Sequence, residues 1–305
     1  MAIKISGIMQ SPVTPFKDDY AFDAETFEKM VDFHVRNGAP AITWPYHKSE
    51  SLNLTIAERK RGVEILVKTV AKRIPVMVFV GALSEDDSVV LAKHAEQTGA
   101  DAVIAISPYC RRPTHEEMFD AVVRIGTSVG LPLVTYNSPW RNGENVEFTA
   151  ELTLRLIDRL PNYAGMKDAS FHSEKFMEIS RVVFERRPDF ALFIGVEHLA
   201  SAFPLGAVGS SSSTGAIAPN FCRTFHQALL AHDWRKAREC QFKVAQLWRL
   251  FKDQYPSSLK GAMIMMGRPV GPTRSPLPTA SKERLEFLRK RLDELGIFQT
   301  EPHGW

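Results

Sequence analysis

Val134-Thr135-Tyr136-Asn137-Ser138-Pro139 and Gly165-Met166-Lys167-Asp168-Ala169 each close a short apolar run, Leu133 to Tyr136 in the first case and Tyr163 to Lys167 in the second. Runs of this length and character read as strands of a sheet buried on both faces, and such a sheet is parallel. A lysine ending a buried strand is out of place as packing. Near a tyrosine that ends another strand it has a chemical use: an amine becomes a nucleophile at neutral pH when its surroundings lower its pKa, and a phenol nearby can shuttle the protons of imine formation.

Outward from these two runs the same alternation continues. Further strands are expected over Ile8 to Val13, Ala41 to Trp44, Val76 to Val80, Ala102 to Ile106, Ala191 to Ile194 and Ala207 to Ser210, which makes eight in all. Helical spacing of apolar residues fills the intervals, as in Asp23 to Asn37 (Phe27, Met30, Val31, Val35) and Thr55 to Lys72 (Ile56, Val63, Leu66, Val67, Val70). Gly38, Gly99 and Gly130 are placed to end helices as left-handed caps. Eight strand–helix units predict a (β/α)₈ TIM barrel over residues 1–230. The pattern then becomes all helical, with helices over Arg235 to Asp253, Ser257 to Met266 and Ser281 to Leu295, and a connector at 267–278 that is too rich in proline and glycine to be helix. Residues 231–305 are therefore expected to form a C-terminal helical domain.

Charged residues make up 24% of the 305 and hydrophobic ones 44%, enough for a packed core and without the signature of disorder. The net charge of +3 comes from 38 basic and 35 acidic residues with no basic stripe, which argues against nucleic acid as a partner. Cys110, Cys222 and Cys240 lie far apart, without the close pairs of a metal site or a disulfide framework, so a reducing cytoplasm is expected. The chain starts without a charged and apolar leader, and no run reaches the roughly 18 apolar residues of a membrane span, so neither export nor membrane anchoring is expected. The nine histidines show no metal-ligand spacing, and His115-Glu116-Glu117 reads as the acidic first turn of a helix.

In a (β/α)₈ barrel the active site lies at the C-terminal ends of the strands. Here those ends carry Thr14, then His47 and Lys48, then Tyr109, then Tyr136 and Arg141, then Lys167. The set is polar and partly cationic, suited to an anionic substrate with a carbonyl to attack.

The segments Gly7-Ile8-Met9-Gln10-Ser11-Pro12-Val13-Thr14-Pro15-Phe16, Ser107-Pro108-Tyr109, Tyr136-Asn137-Ser138-Pro139-Trp140-Arg141-Asn142-Gly143 and Gly165-Met166-Lys167-Asp168-Ala169-Ser170 occur in an informative order. Together they resemble the signature blocks of the dihydrodipicolinate synthase and N-acetylneuraminate lyase superfamily. The resemblance covers essentially the whole chain, including Leu259-Lys260-Gly261 in the tail. It implies a class I aldolase-type lyase or dehydratase acting on a 2-oxo acid such as pyruvate or a pyruvate-derived sugar acid. It also implies a homotetramer built as a dimer of dimers, with no metal and no organic cofactor. The family's Schiff-base lysine falls on Lys167 and its proton-transferring tyrosine on Tyr136. Arg141 matches the arginine that holds the distal carboxylate of the second substrate in the synthase branch, where pyruvate condenses with aspartate semialdehyde. Tyr109 is retained, and Ser211 matches a substrate-binding position near the end of the eighth strand.

Two departures stand against that pattern. Where the family carries Gly-Thr-Thr-Gly-Glu, this chain has Tyr46-His47-Lys48-Ser49-Glu50, so His47 and Lys48 replace the two small hydroxyl residues that cradle the carboxylate. Cys110 stands where the synthase branch has a tyrosine of its proton relay. Both count against the synthase reaction itself and leave a rebuilt carboxylate site, with Lys48 as a positive charge or His47 as an acid or base. Plainer readings stay open beside these. Lys167 can lay its stem over apolar surface with its head in water, Tyr136 can be a core tyrosine, His47, Lys48 and Arg141 can face solvent, and Cys110 and Ser211 can be small packed residues. A barrel that binds an oxo acid without catalysis is the reading from another class.

Overall fold

The computed structural model describes residues 4–109, 112–139 and 146–305. Among them eight strands form a closed barrel in sequence order: β1 Gly7–Gln10, β2 Ile42–Trp44, β3 Val76–Phe79, β4 Ala102–Ile106, β5 Leu133–Asn137, β6 Tyr163–Asp168, β7 Ala191–Ile194 and β8 Ala207–Ser212. The helices that follow strands one to six are α1 Ala24–Arg36, α2 Ile56–Val70, α3 Glu85–Thr98, α4 His115–Thr127, α5 Ala150–Arg159 and α6 Ser173–Arg186. Then come α7 Leu199–Ala202 and α8 Pro219–Leu230, and the tail adds α9 Trp234–Phe251, α10 Ser257–Met265, α11 Lys282–Glu294 and α12 Ile297–Thr300. The eight-stranded parallel barrel with a helical extension is the expected fold.

The strands are continuous apolar runs because both faces are covered: nearly every strand residue is buried, Val208 alone being half-buried. Strand ends move by a few residues from expectation. The first strand stops at Gln10 rather than Val13, since Pro12 has no N–H to offer a ladder. Gly38 and Gly99 have the expected left-handed backbone, with φ of 76° and 93°. Gly130 does not act as a cap. Helix α4 ends earlier, where the Thr127 and Ser128 hydroxyls bond back to the carbonyls of Val123 and Ile125, and the Gly130 N–H goes to Glu96 at 2.7 Å. Strand β8 runs on to Ser212, two residues past the expected Ser210, and His115 opens α4 under a Thr114–Glu117 capping box.

By density of contacts the chain forms two compact units, Met1–Gly7 with Pro75–Ser211, and Ile8–Ile74 with Ser212–Trp305. Within the first, β5 and β6 are joined with an irregularity. Leu133 pairs with Tyr163 but Val134 pairs with Gly165, so Ala164 is an extra residue, a bulge. Beyond it Thr135 pairs with Met166, Tyr136 with Lys167 and Asn137 with Asp168. Without the bulge Tyr136 would stand level with Met166, and a one-residue slip turns every side chain to the other face. Glycine is required at 165: a Cβ there would lie 2.7 Å from the Ala191 carbonyl oxygen on β7. Replacing Gly165 by Ala is expected to destabilise the fold by about 1–3 kcal/mol, the usual cost of forcing extra atoms into a packed interior, read from urea unfolding.

Candidate active site

Alternation along a strand puts Tyr136 and Lys167 on one face and Asn137 and Asp168 on the other. On the first face Lys167 is 3% exposed and Tyr136 6%, so the lysine does not hold its head in water. Its Nζ lies over the Tyr136 ring, 4.2 Å from the centroid. Phe79 of β3 meets the same ring edge-on at 6.2 Å, and Phe193, fully buried, is the residue of β7 paired with Lys167. A lysine buried against an aromatic ring matches the apolar surroundings that suit an amine nucleophile. Gly209 of β8 pairs with Phe193, so Ser211, two residues on, shares this face one step nearer the strand's C-terminal end; it is buried. Tyr109 is half-buried in the turn after β4. Arg141 and Cys110 lie outside the described residues.

The opposite face of β5 and β6 carries polar groups that pattern reading overlooked. The Thr135 and Tyr163 hydroxyls are 2.7 Å apart, and burial pushes the Tyr163 phenol up. One step further along, Asn137 Nδ2 donates to Asp168 Oδ1 at 2.6 Å. The same carboxylate accepts from the Ser170 N–H and hydroxyl at 3.2 and 3.1 Å. Asn137 Oδ1 in turn accepts the Phe148 N–H at 3.1 Å. Asp168 is 2% exposed; desolvation pushes its carboxyl up, while the bonds from Ser170 and Asn137 pull it down.

In the unit Ile8–Ile74 with Ser212–Trp305, the turn after β2 holds His47 and Lys48, both half-buried, in one turn of 3₁₀ helix that ends at Glu50 in the left-handed region, φ 60°. Side chains from the tail fix it. Lys260 Nζ of α10 is 2.7 Å from Glu50 Oε1, with the two side chains 3% and 0% exposed, and donates to the Pro272 carbonyl at 2.7 Å. The Arg274 N–H donates to Glu50 Oε2 at 2.9 Å, and its guanidinium reaches the Asn53 carbonyl and Glu58. From the barrel side, Thr14 donates to the Ser49 carbonyl and Ser49 to the Pro12 carbonyl, each at 2.5 Å. Glu50 and Arg274 were not expected to matter, and Lys260 only as part of the tail's resemblance. One signal was available: Lys260 is the single charged residue of the stretch 257–266. Among the described residues no group of three or more His, Cys, Asp and Glu converges as a metal would need.

A buried lysine and tyrosine on one face of a (β/α)₈ barrel, in register on neighbouring strands, fit the class of lyase that works through a lysine imine. A family model described as the dihydrodipicolinate synthetase family matches residues 4–295, and the chain belongs to that family. A 4-hydroxy-tetrahydrodipicolinate synthase of Methanopyrus kandleri is 30% identical over 300 residues, covering 97% of this chain and 98% of the relative. The crystal structure of dihydrodipicolinate synthase from Thermotoga maritima superposes with a TM-score of 0.91 at 28% identity, covering 97% of this chain and all of the other. The chloride-inhibited synthase of Acinetobacter baumannii, solved in complex with pyruvate, gives 0.88 at 29% identity over 96% of this chain and 100% of its own.

Removing one member of a buried ion pair strands the other, so Glu50→Gln and Lys260→Met should each cost about 3–5 kcal/mol, while the double variant recovers much of the loss. Burial, opposed by Glu50, holds Lys260 down at about 8 against an ordinary lysine value of 10.5. Between those values the unfolded chain binds a proton that the folded one does not, so this group makes stability rise with pH across the window. Lys260→Met should lack that rise, as urea unfolding of both proteins between pH 7.5 and 10 would measure.

Proposed function

We propose that the protein forms an imine between Lys167 and the C2 carbonyl of a 2-oxo acid, pyruvate or a pyruvate-derived sugar acid, and then makes or breaks a C–C bond or eliminates water. The observation that carries this reading is Lys167 Nζ buried against the Tyr136 ring. The amine adds to the carbonyl carbon, the resulting hydroxyl leaves as water with a proton delivered through Tyr136, and the protonated imine draws electrons from the adjacent carbon. That carbon can then lose a proton or a fragment to give an enamine. The Acinetobacter relative's complex with pyruvate supports pyruvate or a close analogue as the reacting acid. His47 and Lys48 are proposed to take part in binding the acid's carboxylate, with Tyr109, Ser211 and Arg141 as further contacts; all five rest on the family resemblance. A homotetramer in the cytoplasm completes the proposal. Among the described residues no helix is long and apolar enough to cross a membrane.

The synthase reaction, pyruvate with aspartate semialdehyde, is the second reading, favoured by the names of relatives such as that from Methanopyrus. Coupled turnover with the two substrates separates it from the first.

Borohydride added with pyruvate should fix an adduct on Lys167, and Lys167→Ala should give none; a wild-type protein left unmodified would remove the imine and leave a binding protein. Tyr136→Phe should slow turnover by on the order of 10²- to 10⁴-fold with binding of the acid largely retained. Lys48→Ala should weaken the dependence of trapping on pyruvate concentration by about tenfold if a charge–carboxylate contact worth roughly 1.4 kcal/mol is lost.

A further inference from the structure

Tyr136 and Lys167 are neighbours across two strands, and two strands can shear. Their alignment therefore depends on what fixes β5 to β6 near the strand ends, where the ladder runs out. Among the described residues the backbone ladder between them continues only briefly, the Ala169 N–H reaching the Asn137 carbonyl at 2.8 Å. One residue beyond the reacting pair, on the reverse face, Asn137 and Asp168 stand opposite each other in register and are joined side chain to side chain at 2.6 Å.

We propose that the Asn137–Asp168 hydrogen bond is a positioning strap that holds the Tyr136 phenol in line with Lys167 for proton transfer. Both residues lie on the face opposite Tyr136 and Lys167, so the strap acts through the strands that carry them. The inference rests on the imine chemistry proposed above. Three features carry it. The strap is buried at both ends, Asn137 and Asp168 each being 2% exposed. Its carboxylate is fixed by two bonds from Ser170, so it is a rigid anchor and not a swinging partner. Its amide is fixed as well: Asn137 Oδ1 takes the Phe148 N–H, and next to it Glu147 is held to His172 at 2.9 Å and to Lys175 at 2.5 Å at the start of α6. The strap thus also ties Phe148 and its neighbour Glu147 to the strand bearing the tyrosine. A carboxylate kept in an interior that pushes its pKa up is costly to a fold that needs it only for packing.

The test uses pyruvate as probe and reads two quantities on the same protein: the maximal rate of deuterium exchange into the pyruvate methyl group in D₂O, and the pyruvate concentration giving half that rate. Exchange requires imine formation and proton removal but no second substrate. Asp168→Leu cuts the strap and should lower the maximal rate on the order of 10- to 100-fold, the scale of an ångström-size misplacement, with the half-saturating concentration changed by less than about threefold. Asp168→Asn keeps acceptors for Asn137 and for the Ser170 N–H and should restore the rate to within about threefold of wild type. Thr135→Val removes another side-chain bond between the strands, two residues back, and should cost stability while leaving the exchange rate in place. An Asp168→Leu enzyme with wild-type exchange would overturn the strap, as would an Asp168→Asn enzyme as slow as Asp168→Leu, which would make the charge and not the bond the active element. If Asp168→Leu does not fold, Asn137→Ala makes the same cut from β5 and must show the same loss of rate at unchanged half-saturation. A wild-type enzyme that exchanges no deuterium at all would overturn the imine chemistry and the strap with it.

Discussion

The register of β5 against β6 is the constraint on which the site depends. A single extra residue, Ala164, shifts the pairing so that Lys167 and not Met166 stands level with Tyr136. The shift is possible because Gly165 has no Cβ to strike the Ala191 carbonyl. Strands alternate strictly, so this is an all-or-none choice: one register puts amine and phenol on one face, the other parts them. The side-chain bonds on the reverse face, Thr135 to Tyr163 and Asn137 to Asp168, fasten the same pair of strands at two levels.

Burying polar and charged groups costs stability unless partners are supplied, and this chain buries several. Lys260 and Glu50 compensate each other, with the Arg274 N–H and the Pro272 carbonyl taking up remaining valences. Asp168 is compensated by hydrogen bonds from Asn137 and Ser170. Lys167 Nζ lies over the Tyr136 ring. The first two groups are scaffolding, one holding the turn that carries His47 and Lys48 and the other the paired strands; the third is the amine proposed to react. In each case the cost is borne where geometry must be fixed.

Much of this was legible in the sequence, for physical reasons. Strands buried on both faces are continuous apolar runs, so Ala102–Ile106 and Ala191–Ile194 read off to the residue. Lys167 stood out because nothing in packing calls for it, and Tyr136 by the signature block around it. The bulge was invisible, since a two-residue period has no mark for an inserted Ala. Gly130 misled because a glycine near a helix end has other uses; here the hydroxyls of Thr127 and Ser128 ended the helix first. Asn137 and Asp168 follow Tyr136 and Lys167 directly in the chain, but their partnership across strands depends on the register that the bulge sets. The clamp on Glu50 joins positions far apart in the chain, a pairing that no local pattern encodes.

The central claim, that Lys167 is the nucleophile and Tyr136 its proton partner because the strand register aligns them, is tested most directly by a crystal structure of the protein soaked with pyruvate. The account predicts continuous density from Lys167 Nζ to C2 of the acid, with the Tyr136 hydroxyl within hydrogen-bond reach of the adduct. An intact pyruvate lying apart from a free Nζ, or an adduct on any other lysine, would contradict it.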